Sequence, residues 1–184
     1  MKIVHYLLCL LLSIPLYAQY DNAILKVHAT ILPKIIFMDY NFKQKTEDDK
    51  VLITLICERN YNGEAVQFKQ MIKNKYKNGI NGYKIDIKVV HYENIKNNIA
   101  KSTIYYLFPI SEKEIKKVVN ILQDSEVIIF SSDKNDLSFG SDISINIGKK
   151  IKPILNMGSL KKKNIRLHSA LINISEIYYK KSDK

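Results

Sequence analysis

The chain has 184 residues, with 29 Lys or Arg against 18 Asp or Glu, and is 46% hydrophobic. That length supports one domain able to bury roughly 70% of its unfolded surface, and Ile-rich segments returning among polar ones exclude a disordered chain. The formal charge of +11 is scattered as lysines often set beside asparagines rather than gathered with aromatics, which argues against a nucleic-acid partner and for attraction to acidic surfaces.

Lys2 and His5 precede an apolar run from Tyr6 to Leu16, broken by Ser13 and Pro15, and the small residue Ala18 stands before Gln19. This is the pattern of a secretory signal peptide cut after Ala18. The run is shorter than the roughly 20 residues a bilayer span needs. Leu8 rather than a small residue precedes Cys9, which argues against a lipoprotein box. The expected organisation is therefore a signal peptide over 1–18 and one α/β domain over 19–184. Lys2 is the only Lys, Arg, Asp or Glu in the leader, so the mature charge is +10. No later stretch has membrane length, and the mature chain is expected to be soluble. It keeps only Cys57, so an internal disulfide is excluded. The thiol lies in a strand-like run and reads as a small buried hydrophobe, with an intermolecular disulfide as the alternative.

In "DNAILKVHATILPKII" the apolar residues Ile24, Val27, Ile31 and Ile35 fall at helical spacing, Asp21 can cap the start, and Pro33 favours a kink or a second short helix. "DYNFKQKTEDDK" reads as a polar loop. "VLITLIC" is apolar and β-branched without alternation, as in a central strand covered on both faces. "GEAVQFKQMIKNKY" is an amphipathic helix with Val66, Met71 and Ile72 directed inward. A turn at Asn81-Gly82 leads into a half-exposed strand in which Ile85, Ile87 and Val89 alternate with Asp86 and Lys88.

"STIYYLFP" is a further strand. Ser111 and Glu114 then form the capping-box pattern of a helix with Ile115, Val118, Val119 and Leu122 on one face. "EVIIFSS" is the next strand, followed by the turn-rich "DKNDLSFGSD". "DISINIGKKIKPIL" predicts a hairpin turning at Gly148-Lys149-Lys150, with Pro153 at an edge or beyond the pairing. The alternation defines a three-layer α/β domain with a mostly parallel, mixed sheet flanked by helices, closed by a C-terminal hairpin and two helices.

The tail "NMGSLKKKNIRLHSALINISEIYY" runs from Asn156 to Tyr179. Two helical turns would point Met157 and Leu160 inward and leave three lysines at an exposed C-terminal turn, where cations favour the helix dipole. Asn164 suits the left-handed position that ends a helix. "IRLHS" reads as extended or turning, and Ser169 as the cap of a last helix. That helix would carry Leu171, Ile174 and Tyr178 on one face with Ala170 and Ile177.

Candidate chemistry fails at each motif. Counting from Asp133, a calcium loop would need an oxygen ligand at Leu137 and glycine at Ser138. Gly63 alone follows the first strand, too little for a dinucleotide turn, and no phosphate-binding Gly-Lys-Ser pattern exists. His28, His91 and His168 sit in no catalytic or metal motif. His168 and Ser169 are adjacent, so in a helix they point about 100° apart and cannot pair. No catalytic residue, cofactor or metal is expected.

Element order and tail together resemble the YfiR-like (HmsC-like) family of exported bacterial proteins. The family's closing signature is a strand ending Ile-Asn, a short helix, Gly-Leu, a Lys-Ile-Ser-Ser-like stretch and a Leu-rich helix. Here it stands as "ILN", "MGSLKKK", "NI", "RLHS" and "ALINISEIY". The motif positions are Asn156, Asn164, Ile165, Ser169 and Leu171; Asn164 replaces the family's glycine and His168 its first serine. The Trp-Pro that ends the family's first helix is missing.

The resemblance implies a non-enzymatic periplasmic signalling or adaptor protein, with no cofactor. It would bind the periplasmic domain of an inner-membrane signalling protein, of the diguanylate cyclase type controlling cyclic-di-GMP or of the kinase type. It also allows a homodimer. The resemblance would otherwise imply redox control through internal disulfides, which a mature chain with Cys57 alone cannot form. The second expectation is a small-ligand module, with an anionic ligand favoured by charge, in a crevice formed by the loops after Cys57, Phe108 and Ser131.

Overall fold

The computed structural model describes residues 22–97 and 101–179. The signal peptide, its junction at Ala18 and Gln19, and the Asp21 cap lie outside the described residues. Among them, seven strands form one sheet in the order β2-β1-β3-β4-β5-β6-β7. They are β1 (Lys50–Cys57), β2 (Lys84–His91), β3 (Ile104–Leu107), β4 (Ile128–Ser131), β5 (Ile143–Ile147), β6 (Ile151–Leu155) and β7 (Glu176–Ile177). All neighbours pair in parallel except the β5–β6 hairpin. The mostly parallel α/β sheet read from the sequence is the fold.

Both faces are covered, which explains the unbroken apolar runs. On one face α1 (Asn22–Ile36) and α2 (Asn62–Lys75) pack on Val51, Ile53, Leu55, Ile104, Tyr106, Ile128 and Phe130. On the other, α3 (Glu112–Leu122) sets Ile115, Val118 and Leu122 against Ile56, Tyr105, Leu107 and Ile129. Successive strand residues point to opposite faces, so odd and even positions of β1, β3 and β4 feed different cores. Tyr106 stacks between Phe68 and Phe130 at centroid distances of 4.5 and 5.5 Å.

Several local expectations are met in detail. Asn81 (φ 51) and Gly82 (φ 86) take the paired positive φ of a tight turn, closed by the Ile80–Tyr83 bridge. Ser111 caps α3, its Oγ accepting from the Glu114 amide at 3.4 Å. The reciprocal half of the box comes from elsewhere: Glu58 accepts from the Ser111 amide, while Glu114 pairs with Lys117.

Other expectations are corrected. α1 continues through Pro33 to Ile36 as one element, so no second short helix forms, and it ends three residues after the proline. The segment read as a polar loop contains a 3-10 turn, Phe42–Lys45, and buries Asp39 against Lys45. Val66 is exposed, while Ile72 is buried and Met71 half-buried as expected; Ala65 and Phe68 complete the docking face of α2. Pro153 pairs opposite Ile145, and β6 is not the sheet edge, since β7 continues the sheet beside Ile154 and Leu155.

The tail departs furthest. α4 (Met157–Lys162) forms and buries Leu160, but Met157 is largely exposed and Lys163 is buried. α5 spans only Ser169–Ile174, with His168 rather than Ser169 at the cap position, and the expected long helix gives way to β7. Ile174 is exposed as a result.

Candidate functional site

A groove of about 510 Å³ runs beside α3, walled by the 3-10 segment Lys134–Phe139, Gly140 and α4, with Tyr178 at one end. Gly140 makes this packing possible. Its φ of +105° is left-handed, and a Cβ there would meet Val119 Cγ1 at 3.0 Å.

Of the motif residues, Asn156 lines the groove and the others lie outside its lining. The Asn156 side chain accepts from the Ser159 amide at 3.1 Å and donates to Leu137 O at 3.0 Å and Ser141 O at 3.2 Å. One amide thus ties β6, the 3-10 segment and α4 together. Asn164 (φ 54) ends α4, and the following Ile165 amide returns to Leu160 O at 2.9 Å, burying Ile165. Leu171 enters the main core, while Ser169 is exposed at the start of α5. The His168 ring stacks on Tyr40 with centroids 3.9 Å apart.

Beneath the groove lies a charged cluster that sequence reasoning missed. Asp142 and Lys163 are buried and paired at 2.7 Å. Asp142 also accepts from the Ile129 amide at 2.7 Å and sits 2.5 Å from Ser159 Oγ, while Lys163 reaches Val127 O at 2.5 Å. Burial holds the Lys163 ammonium below the usual lysine range, and Asp142 draws it part of the way back. Lys163 lies three residues after Leu160, on the same helical face, which was the available signal. Nearby Asp136 is also buried; its carboxylate accepts from Ser131 Oγ, and desolvation first, then Asp133, push it up to about 6.

A second concavity of about 300 Å³ opens at the carboxyl ends of β3, β4 and β5. Pro109 and the segment Ser132–Lys134 come from the expected loops, but Ile24 and His28 of α1 replace the loop after Cys57. His28 is fully buried, with Nδ1 2.8 Å from Tyr106 Oη and Nε2 without a hydrogen-bond partner among the described residues. Burial lowers its pKa to about 4.

Catalytic arrangements are weak by geometry. Cys57 Sγ lies 4.0 Å from His91 Nδ1, but burial, with help from Glu64, pushes the thiol up to about 11. A thiol that keeps its proton is not a nucleophile at neutral pH. Cys57 should therefore resist alkylation in the native protein and react fully in denaturant, as intact mass after brief N-ethylmaleimide treatment would show. Among the described residues no group of three or more His, Cys, Asp or Glu could hold a metal ion. No helix among them is long and apolar enough to cross a membrane.

A parallel-sheet α/β module with crevices at its strand ends and along one helix is the class this geometry defines. The YfiR/HmsC-like pattern matches residues 27–176, and the chain belongs to that family. Membership supports a periplasmic regulatory role in general terms. Among curated proteins none matches. The fold is similar to a conserved domain protein of Vibrio cholerae O1 biovar El Tor, at a TM-score of 0.59 and 12% identity, over 83% of this chain and 59% of that one. It is also similar to an ABC domain in complex with L-Trp from Streptococcus pneumonia (0.56, 11%, 84% and 62%). A third is a ligand-free, open substrate-binding protein with adhesive properties from Clostridium difficile (0.53, 13%, 83% and 58%). The chain spans about three fifths of the length of these structures, and at such identities the likeness is one of fold.

Proposed function

We propose that this chain is an exported, non-enzymatic regulator that binds the periplasmic part of a membrane-anchored sensor, of the diguanylate cyclase or kinase type. The single observation that carries the reading is the family match along residues 27–176. The protonated, buried thiol and the charged, half-apolar groove agree with a protein that acts by contact. Binding would favour one conformation of the sensor over another and set its output by that difference in affinity. Export with cleavage between Ala18 and Gln19, leaving a domain of 19–184, belongs to the proposal; mature protein beginning at Gln19 by mass spectrometry is the expected result.

The direct test is capture of tagged mature protein from native membranes after gentle crosslinking. An inner-membrane cyclase or kinase in the adduct is expected. Recovery of none under conditions that capture a known periplasmic pair would overturn the reading. A small-ligand role is the second reading, favoured by the strand-end crevice and the unpartnered His28 Nε2 beside it. A metabolite that raises the melting temperature of wild-type protein but not of an Ile145→Lys variant would support it.

A further inference from the structure

We propose that the groove beside α3 is the docking surface for an acidic segment of the partner, one that carries an aromatic or apolar anchor. The inference rests on the regulator reading and names its surface and partner chemistry. Among the described residues, three lysines line the groove and no carboxylate does. Asp142 balances Lys163 from behind, so the charge offered to a partner comes from Lys116 and Lys162, both exposed. Lys116 touches Glu112 at 2.5 Å, but that pair is exposed on both sides and gives way at little cost to a partner's carboxylate. Lys162 donates to Gln123 Oε1 at 3.1 Å.

The rest of the lining mixes apolar Val119, Ile129, Leu137 and Phe139 with uncharged polar side chains. Phe139 and Val119 are half-buried, and the Lys116 ammonium stands 5.0 Å from the Phe139 ring centroid. A half-covered aromatic with Lys116 beside it and Lys162 on the same groove suits a side chain that inserts an apolar group while its acidic neighbours meet the lysines. The wall is also rigid. Asn156 and the Asp142–Lys163 cluster lock α4 to the sheet, so the surface is formed before a partner arrives, which lowers the ordering cost of binding.

The test uses the mature chain and a fluorescein-labelled peptide, Glu-Glu-Phe-Glu-Glu, followed by anisotropy at low salt. Its counterpart with alanine for phenylalanine is run beside it. Because any protein of +10 attracts an acidic peptide, two variants of equal charge change are compared: K116E/K162E in the groove and K73E/K77E on and just after α2. Circular dichroism checks that both fold, and K116Q/K162Q repeats the test without new acids. The groove variant should bind about tenfold more weakly and the α2 variant less than about threefold, with the alanine peptide weaker than the phenylalanine one on wild type. Equal losses in both variants, or no preference for the aromatic peptide, would overturn the proposal. Either outcome is independent of the membrane capture above, which tests the regulator reading itself.

Discussion

Replacing Asp142 with alanine should destabilise the protein by about 3–5 kcal/mol, the usual cost of leaving one member of a buried ion pair without its counter-charge. Asp142 and Lys163 are respectively 0% and 5% exposed, and the carboxylate serves three donors, one from β4 and two from α4 and its C-terminal cap. Its removal leaves the Lys163 ammonium with Val127 O alone and the Ile129 amide unpaired. Lys163→Met leaves the carboxylate uncompensated and should cost a comparable amount. The double variant D142L/K163M should lose far less than the sum, about 1–3 kcal/mol, because it leaves the Ile129 amide and the Val127 carbonyl without these partners but no uncompensated buried charge. Urea denaturation of the four proteins measures this, and strictly additive losses would show that the two side chains do not act as a pair.

The second large effect is hidden in wild-type protein, because two buried groups have opposite pH dependence. His28 has a folded pKa of about 4, below its ordinary 6.5. Its unfolded form takes up a proton first as pH falls, so the stability it contributes is present above 6.5 and lost on acidification through about 4. Asp136 is raised from 3.8 to about 6. Its folded form keeps a proton that the unfolded chain has released, so its contribution is present below 3.8 and lost as pH rises through about 6. Each difference of two to two and a half in pKa corresponds to about 3 kcal/mol, and the two slopes offset each other between about pH 4 and 6. Asp136→Asn should be more stable than wild type by about 2–3 kcal/mol at pH 7.5, with the gain vanishing near pH 4. His28→Gln should lose stability relative to wild type at pH 7.5 and recover it near pH 4. Differences that stay constant with pH would show that neither group titrates as its burial requires.

Legibility in the sequence followed the range of the forces involved. The order of strands and helices was readable because two covered faces demand continuous apolar runs, and the Asn81-Gly82 turn and Ser111 cap are local chemistry. Asn164 could be placed because positive φ after a helix has few candidates. The face of α2 could not be chosen locally: Val66 and Phe68 offer rival stripes, and packing against α1 and the sheet selects Phe68. The last helix stops at Ile174 because β6 presents a free edge at Ile154 and Leu155, and pairing there captures Glu176 and Ile177. Nothing within "SEIYY" reports that edge. For the charged cluster only the inward position of Lys163 was legible and its partner was not, since Lys163 meets Asp142 across 21 residues, as His28 meets Tyr106 across 78. The motif residues Asn156 and Asn164 therefore act as structural closures, and the groove they support came to light only in three dimensions.

The proposed contact between this protein and a membrane sensor runs through the face beside α3. Its most direct test is in-cell photocrosslinking in the native host, with a photoreactive residue at Asn120 in the groove and, as control, at Gln67 on the exposed side of α2. The account predicts an adduct from position 120 that contains an inner-membrane cyclase or kinase with a periplasmic domain, and little or none from position 67. Adducts from 67 alone, or adducts from 120 lacking any inner-membrane signalling protein, would contradict it.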